Sequence, residues 1–548
     1  MKVESLEDEL PGNERATEVI RHDAVSWAAL IGLTLWIPRD LLAQTAVRND
    51  RPGMLFYEPA PGNSAADNWC FKQGDLWYVY TLNGNGSIGV GVSSDLMRYE
   101  SRGDAITGSL PWENGLFGGD VFAWKGKYYM LYSAPGPGYV NAIGLAESED
   151  LLRWKKHPGN PVMHHPEARW YEGATPDGMR GGISCRDVSV IEDAFTDEWV
   201  YACFTTSTGR GDYYRRGCIG LARSKNLIDW EYLPPLFSPG LYTAMEVPRV
   251  CRIGSKWFLT WLHAPWYGIR TDEDYGQRAY TGGETMIHYA VADQPLGPYR
   301  LPADPTLFRG NASPYVIDLV HEAGEVLVTT TMFKQQGARF DDRERCGLMP
   351  AMPIRQAEHN PDKLEVGFPE KLRKYFADPL TVIEPLRVNN PLPELQDVAK
   401  QGNRITFTNT SNRLVELTEP TKADFLIEVD VQETSGRVGL VTRYDRAARK
   451  GCVVLVDPKR KELQFAELDP IYSQGIILRV LERHHLTSPV GFDFKLSVIQ
   501  SRDYQLVFIN DVLAATFSFA RRDPGVVGLF LENATGKCAV KGIRTLRP

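Results

Sequence analysis

Thr243-Ala244-Met245-Glu246-Val247-Pro248-Arg249-Val250 runs without a break into Cys251-Arg252-Ile253-Gly254-Ser255-Lys256-Trp257-Phe258-Leu259-Thr260-Trp261. A carboxylate opens a strand, a Gly-Ser turn follows, and a strand dense in aromatics comes next. β-Branched and aromatic residues on either side of a polar turn are hairpin chemistry. The fold is decided by the recurrence of this arrangement along the chain.

Working outward, the turn and aromatic strand appear earlier as Gln73-Gly74-Asp75-Leu76-Trp77-Tyr78, as Lys125-Gly126-Lys127-Tyr128-Tyr129 and as Thr196-Asp197-Glu198-Trp199-Val200-Tyr201. A weaker copy follows at Ala323-Gly324-Glu325-Val326-Leu327. A second element trails each copy: Ser94-Asp95-Leu96-Met97-Arg98-Tyr99, Glu149-Asp150-Leu151-Leu152-Arg153-Trp154 and Lys225-Asn226-Leu227-Ile228-Asp229-Trp230, with a degraded version at Gln294 to Tyr299. Self-similarity at this period is the mark of a repeat architecture. Inner strand, hairpin partner, small-residue third strand and an outer strand carrying Trp or Tyr make one blade. Five such units predict an all-β chain with a five-bladed β-propeller over residues 55–378. After a Pro-containing linker at 379–395, period-two strands at short spacing predict a C-terminal β-sandwich of lectin-like jelly-roll type over 396–548.

Composition agrees with a folded globular chain: 548 residues, 43% hydrophobic and 24% charged. The net charge of -8 disfavours nucleic acid as a partner. The eight cysteines show no zinc spacing, and no metal or cofactor is expected. Residues 1–54 form an N-terminal segment in which Val25 to Trp36 is an apolar run of signal-peptide length, too short to span a bilayer. It predicts a secreted or periplasmic protein. The acidic lead before the run favours the alternative, an amphipathic helix on a cytoplasmic one.

Innermost strands of a propeller converge on a central channel, so the residues at their heads face one another. Asp67 stands there in the first blade, Asp120 in the second, Asp187 after Arg186 in the third, and Glu246 in the fourth. Singly, each reads as a solvated strand end or a structural ion pair. A matched set on otherwise apolar strands is costly unless something uses it. Paired carboxyls across a cleft are the equipment of glycoside hydrolysis, in which one protonates the leaving oxygen and the other attacks or activates water. The longer Glu246 suits the acid, and Arg186 is expected to keep Asp187 ionised. Trp69, beside Asp67, is the aromatic expected to stack on a sugar, with Asp120 and Arg186 as further substrate contacts.

The ordered set Asp67, Arg186-Asp187 and Glu246-Val247-Pro248, followed by a sandwich, resembles glycoside hydrolase family 32, the invertases, levanases and inulinases. The stretch Ile219 to Leu233 is similar to the same family's third-blade exit. The resemblance implies an Asp67 nucleophile, an Asp187 transition-state stabiliser and a Glu246 acid/base, acting with retention on a β-fructofuranoside or fructan. The match thins at three points. Ala66-Asp67-Asn68-Trp69 replaces the Asn-Asp-Pro-Asn-Gly signature, Val188 replaces a Pro, and Val247 replaces a Cys. Asp67 is therefore the least secure member, with Asp120 as fallback nucleophile. Family 43 arabinofuranosidases and xylosidases share the propeller and would imply inversion. A non-catalytic carbohydrate-binding propeller is the alternative from another class.

Overall fold

The computed structural model describes residues 66–547, apart from 84–85, 137–139, 165–168, 173–183, 210, 212–214, 264–285, 312–313, 336–342, 390–396, 423, 472–474, 487–489, 503 and 520–522. The N-terminal apolar run lies outside the described residues. Among them no helix is long and apolar enough to cross a membrane.

Five antiparallel sheets follow one another along the chain, each contributed by one contiguous stretch. Blade one comprises Ala66–Gln73, Leu76–Leu82, Ser87–Ser93 and Glu100–Thr107. Blade two comprises Phe117–Trp124, Lys127–Pro135, Asn141–Ser148 and the short Lys155–Lys156. Blade three runs through Arg186–Val190, Val200–Ser207, Gly217–Ser224 and Trp230–Phe237. In blade four, Glu246–Ile253, Lys256–His263 and Met286–Ala292 pair in order. Its outer edge is reduced to the bridges His288–Thr306 and Val291–Arg300, which is where the sequence repeat degrades. Blade five holds Pro314–Glu322, Glu325–Gln335, Met352–Ala357 and Asn360–Val366, with Arg343–Leu348 added to its second strand.

The first strand of each blade packs against the first strands of its two neighbours, so the five close into a ring. The seam between blades five and one is held by side chains. Asp318 Oδ2 accepts the Cys70 amide at 2.7 Å, Asn68 Nδ2 donates to Thr329 Oγ1 at 2.8 Å, and Lys72 pairs with Glu322. The hairpin turns carry Gly74, Gly126, Gly254 and Gly324 at positive φ, which explains the glycine in four of the five copies.

The second repeated element differs from expectation. Leu96, Leu151 and Leu227 sit at φ +59, +63 and +65, and each donates its amide to the serine three residues earlier. Asp95, Asp150 and Asn226 accept from the amides two residues on. This motif is a side-chain-capped turn leading into the outer strand, rather than the strand itself.

The C-terminal region forms a 13-stranded sheet system built around Val526–Leu546, which pairs with Arg404–Glu416, Phe425–Gln432 and Arg437–Asp445. It encloses an apolar core in which Phe465 and Phe517 stack at 4.1 Å. Arg387–Asn389, inside the expected linker, pairs with Leu414–Glu416. A second core cluster is shared with blade five: Phe368 meets Phe508 edge-on at 5.0 Å, and Leu426, Ile499 and Leu506 join propeller residues. The seven described cysteines are buried free thiols.

Candidate active site

Near the head of each innermost strand the pairing register slips. The slips fall between Ala66 and Asn68, Phe117 and Gly119, Glu246 and Arg249, and Pro314 and Val316; in blade three the slip lies opposite Arg186–Ser189, between Cys203 and Thr205. A bulge turns a side chain out of the strand's alternation, and bulges next to active sites serve to re-aim residues. Here they turn Asp67, Asp187 and the Glu246-Val247 pair. Asp187 (φ +53) and Val247 (φ +49) are held in the left-handed region, unusual for an aspartate and costly for a β-branched residue.

Asp187 is buried, and its Oδ2 accepts Thr205 Oγ1 at 3.0 Å and the Val247 amide at 3.4 Å. Arg186 Nε lies 3.4 Å from the same oxygen, while Arg186 Nη2 donates to Glu246 Oε1 at 2.6 Å. One guanidinium therefore spans two of the three candidates, and it also contacts Ser184. Burial pushes the Asp187 carboxyl up to about 7; Asp67 and Glu246 add to the rise and Arg186 opposes it. The expected ionising effect of Arg186 is real, but desolvation outweighs it.

Asp67 is joined to Asp187 through the second blade. Gly118 N donates to Asp67 Oδ2 at 3.2 Å, Ser133 Oγ donates to Gly118 O at 2.8 Å, and Asp187 N donates to Ser133 Oγ at 2.8 Å. A Cβ on Gly118 would come within 2.9 Å of Asp67 Oδ2, so this glycine makes room for the carboxylate.

Two expected contacts belong elsewhere. Gly118, not Asp120, occupies the bulge of blade two. Asp120 lies further along the strand, where its Oδ2 accepts Ser189 Oγ at 3.0 Å and the Val190 amide at 2.9 Å. Trp69 is fully buried and stacks on Tyr80 at 6.0 Å, so it presents no face to a sugar.

Sequence reasoning missed a second set of charges below the first. Arg249, also buried, donates from Nε to Asp318 Oδ1 at 3.0 Å and from Nη2 to Gly119 O at 2.9 Å. Burial raises the Asp318 carboxyl to about 6 against the pull of Arg249, with Asp120 adding to the rise. Asp120, Arg249 and Asp318 each stand four residues before the last paired residue of their strand: Trp124, Ile253 and Glu322. The available signal was a lone charge inside an apolar strand, as in Val316-Ile317-Asp318-Leu319-Val320. Among the described residues no cluster of His, Cys, Asp and Glu suits a metal ion.

Residues 76–291 match the family model described as the glycosyl hydrolases family 32 N-terminal domain, a stretch that holds Asp187 and Glu246 and begins after Asp67. No curated protein sequence matches the chain. Among solved structures, a Bombyx mori GH32 β-fructofuranosidase aligns at TM-score 0.61 and 15% identity, covering 98% of this chain and 99% of that one. A mutant of that enzyme is known in complex with sucrose. Sucrose-6-phosphate hydrolase from Lactobacillus gasseri aligns at TM-score 0.63 and 12% identity, over 94% of this chain and 96% of that one. Fructan 1-exohydrolase IIa from Cichorium intybus gives 0.62 and 11%, over 91% and 97%. At these identities the likeness is one of fold.

Proposed function

We propose that this glycosidase cleaves β-fructofuranosidic bonds with retention of configuration, a reading supported by the match of residues 76–291 to the glycosyl hydrolases family 32 N-terminal domain. Glu246 protonates the leaving glycosidic oxygen while Asp67 attacks the anomeric carbon and forms a covalent fructosyl intermediate. Glu246 then takes a proton from water, which displaces Asp67. Asp187 faces the positive charge that grows on the ring, and Arg186 turns from the carboxylates to the sugar hydroxyls.

The observation that carries this reading is the Arg186 bridge, 2.6 Å to Glu246 and 3.4 Å to Asp187, with Asp67 linked to Asp187 through Gly118 and Ser133. It supplies a cluster of three acids and one base at the bulged strand heads. Solved fold neighbours crystallised with sucrose and with 1-kestose support a sugar as the ligand. Export through the N-terminal run belongs to the same reading.

The test is incubation with sucrose, levan, inulin and aryl arabinofuranosides, with the anomer of the first product read by NMR. Release of β-fructofuranose is expected. Arabinose with inverted configuration would move the chain to the family 43 mechanism, and sugar binding without any product would make it a lectin-like propeller. One observation favours this last reading: Glu246 Oε1 is engaged by Arg186 Nη2 at 2.6 Å rather than left open to a glycosidic oxygen. Glu246→Gln separates the two. Turnover of sucrose is expected to fall at least about 10²-fold, as for loss of a general acid, while sugar affinity holds.

A further inference from the structure

The lower charged set has no part in the chemistry just described, yet it touches the strands of all three candidate carboxylates. Arg249 stands three residues after Glu246 on the same strand and reaches blade five through Asp318 and blade two through Gly119 O. Asp318 in turn holds the amide of Cys70, three residues after Asp67. Asp120 holds the hydroxyl of Ser189 and the amide of Val190, two and three residues after Asp187. Each reactive strand is thus tied, at nearly the same depth, by a side chain that bridges two blades.

From this we infer that Asp120, Arg249 and Asp318 form a positioning clamp that fixes how far the strands of Asp67, Asp187 and Glu246 project toward the channel mouth, and so the spacing of the three carboxylates. The ordinary alternative is that they are a buried ion pair and hydrogen bonds that only hold the ring together. Three features favour the clamp. Ties that only held the ring could fall anywhere along the strands, whereas these fall two or three residues from each reactive group. Backbone amides are gripped as well as side chains, which sets strand depth directly. A buried ion pair is also a poor source of stability compared with apolar packing, so its presence at this depth asks for another use. Strand depth matters because a 1 Å misplacement of catalytic groups can cost about 10²-fold in rate.

The inference rests on the proposed activity, and the experiment separates the two. In the full chain, Asp318→Asn keeps an acceptor for the Cys70 amide and removes the charge facing Arg249. The expected result is a folded protein whose kcat on sucrose falls 10- to 100-fold while KM stays within about threefold. Arg249→Lys keeps the charge but cannot reach both Asp318 and Gly119 O, and an intermediate loss in kcat is expected. A folded Asp318→Asn protein with wild-type kcat overturns the clamp. If Asp318→Asn does not fold, wild-type kcat in Arg249→Lys overturns it instead. If wild-type protein cleaves no furanoside, the proposed activity fails on its own. The clamp is then read from crystal structures of wild type and Asp318→Asn. A change of 0.5 Å or more in the Asp67–Glu246 carboxyl separation supports it, and an unchanged separation overturns it.

Discussion

At the scale of single residues, the site depends on what Gly118 lacks. A methyl group there meets Asp67 Oδ2 at 2.9 Å, and the carboxylate can swing away where backbone could not. Gly118→Ala should therefore fold with little change in melting temperature and lose about 10²-fold in kcat on a cleaved sugar. Asp187 gives a prediction in pH. Its carboxyl titrates near 7 in the folded chain, above the value of about 3.9 for an unfolded aspartate. Between those values the folded state holds the extra proton, so this contribution to stability is fully present at pH 4 and is lost as pH rises through 7. Asp318, raised to about 6, adds to the same slope. Melting temperature should fall from pH 5 to pH 8, and Asp187→Asn should flatten that fall. Removing the desolvated charge should make the variant more stable at pH 8 by on the order of 1–3 kcal/mol. Turnover should nonetheless be abolished.

At the scale of the strand, the bulges explain what could and could not be read beforehand. The turns carry glycine and the flanking strands carry aromatics, so five blades were visible in order. The carboxylates at the strand heads were visible too, because Asp67, Asp187 and Glu246 break apolar runs. Counting back from the turn could not separate Asp120 from Asp67, since a bulge adds a residue without leaving a mark in composition. Trp69 was misread for a related reason: only the packing of neighbouring blades decides whether an aromatic beside a site faces the channel or the core. The left-handed Val247 is the price of aiming Glu246 at this position. Val247→Gly relieves a strain of about 1–3 kcal/mol, partly offset by the lost side chain. The expected outcome is a drop in kcat larger than any change in melting temperature, measured on the same preparation.

At the scale of the whole molecule, the sandwich and the fifth blade share one core. Phe508 is fully buried against Phe368, and Phe508→Ala should cost about 3–5 kcal/mol. Calorimetry should show both regions melting in a single transition, and Phe508→Ala should lower that transition rather than split it. Two resolved transitions would mean that the shared core does not couple the regions. The ring has a different dependence. Among the described residues no strand is exchanged between the first and last blades, and the Cys70–Asp318, Asn68–Thr329 and Lys72–Glu322 contacts cross the seam beside shared apolar packing. A chain emerging from the ribosome presents Asp67 early, but the partner that fixes its strand lies in the last blade to be made. On the proposed function, a chain that ends before Asp318 is therefore expected to cleave no sugar, which an activity assay on truncated protein would check.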